Sequence, residues 1–111
     1  MKTNADLMRK NAEKASTLLS AMSNEKRLMI LCYLADGERA VGELAKLLGI
    51  RQSSASQHLA LLRKDGFVRA RRDGQTLYYS LAAGEPRAMI ETLYSLYCKP
   101  AKQARAGSAE E

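Results

Sequence analysis

Apolar residues recur at helical spacing through residues 5–22, where Leu7, Ala15, Leu18, Leu19 and Met22 predict a first helix. A second stripe, Leu28, Leu31 and Leu34, predicts a helix from about Glu25 to Ala35. Ser23 or Asn24 is its cap, and Asp36-Gly37 is its end. A third helix, about Val41 to Leu48, stops at Gly49, a residue suited to a left-handed C-cap. After a short polar turn, a fourth runs from about Gln52 to Lys64 and ends at Asp65-Gly66. The period then changes. Residues 67–72 and 76–81 are rich in β-branched and aromatic residues, and Asp73-Gly74 between them marks a tight hairpin. Gly84-Glu85-Pro86 opens a fifth helix that reaches about Cys98, and Pro100 cannot continue it.

The expected fold is therefore mainly α with a small β-hairpin, in the order of four helices, two strands and a helix. That order is a winged helix-turn-helix, a module that reads duplex DNA. Residues 1–100 read as one DNA-binding and dimerisation domain. The small, polar tail at 101–111 is expected to be disordered.

The fourth helix is the expected reading head. At about 100° per residue, Ala55, Leu59 and Leu62 share an inward face. Ser53, Ser54, Gln57 and Ala60 point away, with Gln52, Ser56 and His58 at the flanks. In a major groove, Gln can pair with adenine, and Ser with either a base edge or a phosphate. The bland alternative is a merely polar exposed helix, and the basic hairpin just downstream argues against it. His58 by itself is as readily a structural donor as a phosphate contact. At the wing tip stand Arg71, Arg72, Gln75 and Thr76, suited to phosphates or a narrow minor groove. Tyr78 and Tyr79 alternate, so one should pack inward.

Charge sharpens this picture. The net charge is +6. Residues 51–73 hold six basic side chains against two acidic ones, so +4 of it lies in the reading segment. Such clustering suits a polyanion, and DNA above a merely solvated basic face. Hydrophobic residues make up 46% with no Trp and one Phe, so aliphatic packing must form the core. A domain of 111 residues buries a modest core, and pairing would help it. The apolar stripes of the first and last helices favour a homodimer, with Leu18, Leu93 and Tyr97 as interface candidates. No apolar run approaches the roughly 20 residues that cross a bilayer, and the N-terminus lacks a signal peptide's apolar stretch. No membrane partner and a cytoplasmic location are expected. There, two cysteines should not form a constitutive structural disulfide. No nucleophile–base pair, phosphate loop or carboxylate dyad suggests an enzyme.

The segments LSAMSNEKRLMILCYL, VGELAKLLGI, SSASQHLALLRKDGFV and RRDGQTLYYSL together resemble the ArsR/SmtB family of bacterial repressors, over about residues 15–98. The resemblance implies an obligate homodimer, built on the first and last helices, that binds operator palindromes and releases them on meeting an inducer. Arg51 departs from it, standing where the family often has a capping Ser or Thr. Either a neighbour takes the cap, or Arg51 meets a phosphate. Metal sensors of the family use Cys-x-Cys in the third helix, or Asp and His on the last. Residues 39–44 hold neither Cys nor His, and residues 85–98 neither His nor Asp. Zinc wants four such ligands, so no metal cofactor is expected.

Two residues fit a narrower resemblance. Cys32 in the second helix and Cys98 at the end of the last resemble the pair in the persulfide-sensing branch, the sulfide and biofilm regulators. There, reactive sulfur links the two thiols within one subunit, and DNA is released. Cys32 and Cys98 are thereby the candidate redox-sensing residues, with reactive sulfur as the inducer. Two alternatives stand beside this reading. The same thiols suit a soft ion such as Cu(I) or As(III). Alternatively, Cys32 is a small buried hydrophobe in a non-sensing winged-helix protein, as in the nodulation-type repressors, which share the wing without the pair.

Overall fold

A computed structural model describes residues 4–99 of the chain, so the expected tail at 101–111 lies outside the described residues. Helix α1 spans Ala5–Met22. It starts where the Asn4 side chain accepts from the backbone N–H of Asp6 at 3.0 Å and of Leu7 at 3.2 Å. Only its C-terminal part is buried, through Leu18, Ala21 and Met22. Leu18 is just 7% exposed within the protomer. That corrects its expected place at the subunit interface: it already belongs to the core.

Helix α2, Glu25–Ala35, is capped by Asn24, whose side chain accepts from the Arg27 N–H at 3.0 Å. Arg27 then reaches back over α1, donating to the carbonyls of Ala21 at 2.9 Å and Ser20 at 3.2 Å. A cation at a helix C-terminus is favourable, and these contacts fix the corner between the two helices. Helix α2 is the hub of the molecule, touching every other helix and the sheet. It therefore buries more than one stripe: Ile30, Leu31 and Leu34 are sealed, while Leu28 is half-buried.

Strand β1, Arg39–Ala40, leads into α3, Val41–Leu48. Gly49 closes α3 with φ 67°, a left-handed value that a side chain would resist. Helix α4, Gln52–Lys64, follows and sets Ala55, Leu59 and Leu62 into the core. Strands β2, Val68–Asp73, and β3, Thr76–Leu81, form the wing. The sheet is antiparallel in the order β1-β3-β2, with Arg39 beside Tyr79 and Ala40 beside Tyr78. Asp73 pairs with Thr76, so the two-residue loop is Gly74-Gln75, one residue later than the Asp-Gly signal suggests. A two-residue hairpin needs positive φ at its first loop position, and Gly74 supplies 65°.

Helix α5, Glu85–Tyr97, packs on α2 through Ile90, with Met89 and Leu93 half-buried beside it. The C-terminal end of the same stripe is bare: Leu96 is 70% and Tyr97 81% exposed. Among the described residues, no helix is long and apolar enough to cross a membrane.

Candidate nucleic-acid interface and thiol pair

The phase of α4 decides what it can present. Its inner residues are closed off, and Gln52, Ser53, Ser56, Gln57 and Ala60 are exposed on the outer side, with Ser54 and His58 half-buried. The reading face expected from sequence therefore emerges together on one surface. Two of its members are more constrained than expected. Gln52 folds its amide back towards α3, with Oε1 3.5 Å from where a Cβ on Gly42 would stand. His58 has its pKa lowered from the ordinary 6.5, first by burial and then by the positive charge of Arg27. It is mostly neutral at pH 7 and acts as a hydrogen-bonding group more than as a cation.

Arg51 occupies the N-cap of α4 and gives no side-chain cap. The first N–H groups of α4 thus receive nothing from the capping side chain, and Arg51 itself is exposed.

The wing is built in two faces. Tyr79 turns inward onto the core, while Tyr78 faces out beneath Arg71, whose guanidinium lies 4.9 Å from the ring centre. Arg71 also grips Glu38, a residue absent from the sequence expectations, with Nε donating to Oε2 at 2.8 Å and Nη2 to Oε1 at 2.9 Å. Arg72, Gln75 and Thr76 are exposed at the tip, and Arg72 makes no ion pair among the described residues. A second unforeseen pair, Arg39 with Glu43 at 2.6 Å, pins β1 to α3, and Arg39 also caps the Tyr33 carbonyl at 3.2 Å. The Arg39–Glu43 spacing of four residues was visible in the sequence. The Glu38–Arg71 pair spans 33 residues and was not.

Near the C-terminal end of α2, the two thiols are free, Cys32 half-buried and Cys98 exposed. The Cys32 pKa is raised, mainly by burial, then by the nearby charge of Cys98 and of Asp36. Helix α5 packs against α2, so the two thiols sit on neighbouring helices although 66 residues separate them in the chain. Neither thiol lies on the α4 face. Among the described residues, no group of three His, Cys, Asp or Glu comes together as a metal site.

Comparison with known proteins gives the same elements. Residues 24–70 match the family described as bacterial regulatory protein, arsR family. The transcriptional activator HlyU of Vibrio cholerae is 53% identical over 96 residues, 86% of this chain and 89% of its own length. Its reduced form superposes with a TM-score of 0.79 at 54% identity, covering 83% of this chain and 97% of that one. The biofilm growth-associated repressor of Xylella fastidiosa is 38% identical over 97 residues, 87% of this chain and 85% of its own. The structure of the repressor BigR from that organism gives a TM-score of 0.80 at 35% identity, covering 88% and 100%. A homodimeric winged helix-turn-helix DNA-binding domain, Mb0332 of Mycobacterium bovis, is 31% identical with a TM-score of 0.73, covering 86% and 89%.

Proposed function

Because the chain belongs to the ArsR family of bacterial regulatory proteins, whose members among its relatives are DNA-binding transcriptional regulators and not enzymes, we propose that it is a homodimeric repressor switched by reactive sulfur. The outer face of α4 and the wing tip grip operator DNA, and a sulfur bridge between Cys32 and Cys98 releases it. The observation that carries the switch is the packing of α5 against α2, which sets the two free thiols, half-buried Cys32 and exposed Cys98, on neighbouring helices.

Dimerisation is supported by exposed apolar residues on both terminal helices, Leu7, Met8 and Leu19 on α1 and Tyr94, Leu96 and Tyr97 on α5. An apolar surface of that kind marks a protein contact. The relative Mb0332 is described as homodimeric. Two copies carry two reading helices, which matches a palindromic site with half-sites about one DNA turn apart. A dimer seated across a promoter blocks transcription by occupancy.

The chemistry of the switch balances without an outside metal. Each thiolate takes the outer sulfur of a small-molecule persulfide, and the small thiol leaves. One cysteine persulfide anion then attacks the sulfur of the other that is bound to its Cβ. Hydrosulfide leaves, and a trisulfide joins the residues. Cellular thiols reverse the bridge. Cys98, exposed, meets the persulfide first. Cys32, less easily ionised, closes the bridge.

The test combines mass and binding. Glutathione persulfide should add sulfur to the intact chain as one Cys32–Cys98 bridge and lower operator affinity, with dithiothreitol restoring it. Cys32→Ser and Cys98→Ser should each bind DNA and fail to respond. A single-cysteine variant that responds normally sinks the switch. Release by arsenite or Cu(I) but not by persulfide, lost in the same variants, replaces it with soft-ion sensing. For the reading face, Gln57→Ala should cost roughly 1–3 kcal/mol and relax operator choice. Arg72→Ala should weaken all sequences alike and flatten the salt dependence. Unchanged binding in both variants would misplace the interface.

A further inference from the structure

The wing's first arginine is already occupied. Ala40 on β1, Tyr78 on β3 and Arg71 on β2 form one row across the sheet, and Glu38 lies two residues before Ala40, just ahead of β1. Arg71 lies across Tyr78 and closes a two-pronged contact with Glu38, Nε to Oε2 at 2.8 Å and Nη2 to Oε1 at 2.9 Å. That Nε–Nη2 edge is one an arginine uses to fork a phosphate. The remaining nitrogen, Nη1, stands 4.0 Å from Asp73. Both partners stay in water, with 54% of the Arg71 side chain and 36% of Glu38 exposed. The hydrogen bond from Arg71 holds the Glu38 carboxyl below its ordinary range, so the acid stays charged at neutral pH.

We infer that Glu38 is an intramolecular rival of the DNA phosphate for Arg71, and that it holds down the protein's affinity for DNA of any sequence. The inference rests on the reading that the wing meets DNA. A solvated ion pair of this kind is weak, so a phosphate can displace the carboxylate. Each such displacement gives up a contact as it gains one, so Arg71 adds little net affinity. The carboxylate also cancels one of the four net positive charges of residues 51–73. Binding without regard to sequence comes almost wholly from phosphate contacts. Glu38 therefore subtracts the same amount from operator and bulk binding and leaves base contacts by Gln57 untouched, so it lowers overall affinity and not the preference for the operator.

The experiment uses the full chain and a short duplex of scrambled sequence, with anisotropy read over a range of salt. Glu38→Gln removes the charge and keeps the size. It should tighten scrambled-duplex binding by on the order of fivefold at low salt, about the worth of one screened surface contact. The salt slope should steepen by about 0.9, one further phosphate neutralised. In an Arg71→Ala background, the same substitution should gain nothing. Binding that is unchanged or weakened by Glu38→Gln overturns the inference. So does a gain that survives in the Arg71→Ala background, since Glu38 would then only repel DNA. Wild-type protein that binds no duplex at all would instead refute the DNA-binding role itself.

Discussion

Two leucines of α4, two positions apart, test the phase on which the reading face depends. Leu59 is 0% exposed and Leu61 is 51% exposed, as expected for residues about 200° apart on a helix. The same truncation to alanine should therefore have opposite consequences. Leu59 sits in a cluster with Ile30, Leu31, Leu34, Leu44 and Leu62, all sealed from water, so its loss leaves a cavity that α2 and α3 cannot close without moving. Leu→Ala at such a site costs about 2–5 kcal/mol. A small domain has about 5–15 kcal/mol in all, so Leu59→Ala should lose a large share of its stability. Leu61→Ala should stay within about 0.5 kcal/mol. Urea unfolding at one fixed protein concentration, followed by circular dichroism, measures both, and the fixed concentration removes mass-action effects of dimerisation. Equal costs at the two positions, or a larger cost at Leu61, would mean that α4 is rotated and that Gln57 does not face DNA.

Three smaller outcomes follow from local contacts. Gly42→Ala should raise the melting temperature by a few degrees, since the new methyl meets only Gln52 Oε1 at ordinary contact distance and α3 gains up to about 1 kcal/mol in propensity; a fall would mean that Gln52 is locked in place. Iodoacetamide near neutral pH should label Cys98 before Cys32, because Cys32 is half-buried with a raised pKa, and peptide mass spectrometry showing equal rates would refute that order. The lowered pKa of His58 means that the unfolded chain takes the proton first, so its contribution to stability is full above about pH 6.5 and is lost as pH falls from there through the lower folded value. His58→Asn should flatten the stability profile there, and an unaltered profile would assign the dependence to another group.

The parts legible in the sequence were those fixed by local chemistry. Periodicity and end signals such as Asn24 and Gly49 located all five helices closely, because cap and stripe act within one element. Strand β1 escaped notice. Two residues cannot show alternation, and Arg39–Ala40 is a strand only because β3 offers it an edge. The hairpin signal named Asp73-Gly74, one residue ahead of the true loop Gly74-Gln75, whose place the positive φ of Gly74 decides. Leu18 looked like an interface residue, since periodicity reports an apolar face and not what covers it. The Glu38–Arg71 pair depends on sheet order, and the proximity of Cys32 to Cys98 depends on how α5 crosses α2. Neither has a local signature, so the thiol pair could be reached only through resemblance.

Helix α2 explains how a bridge at one end could matter at the other. It carries Cys32 and contacts α4 and α5 directly. Its sealed residues, Ile30, Leu31 and Leu34, leave no space to absorb a shift, and close-packed interiors pass strain on instead of deforming. A bridge that draws the end of α5 onto α2 must then express itself where packing is looser. That place is the exposed apolar C-terminal end of α5, which the proposed dimer covers. Turning operator occupancy from 99:1 to 1:99 requires about 5.5 kcal/mol of difference between the two states. A strained contact within one subunit need not supply all of it. In the proposed dimer both subunits would contribute, and a small change of angle at its axis would be enlarged at the two reading helices, which must fit half-sites a fixed distance apart. The thiols can therefore lie far from the DNA face and still govern it, provided that the lever between them is the dimer interface.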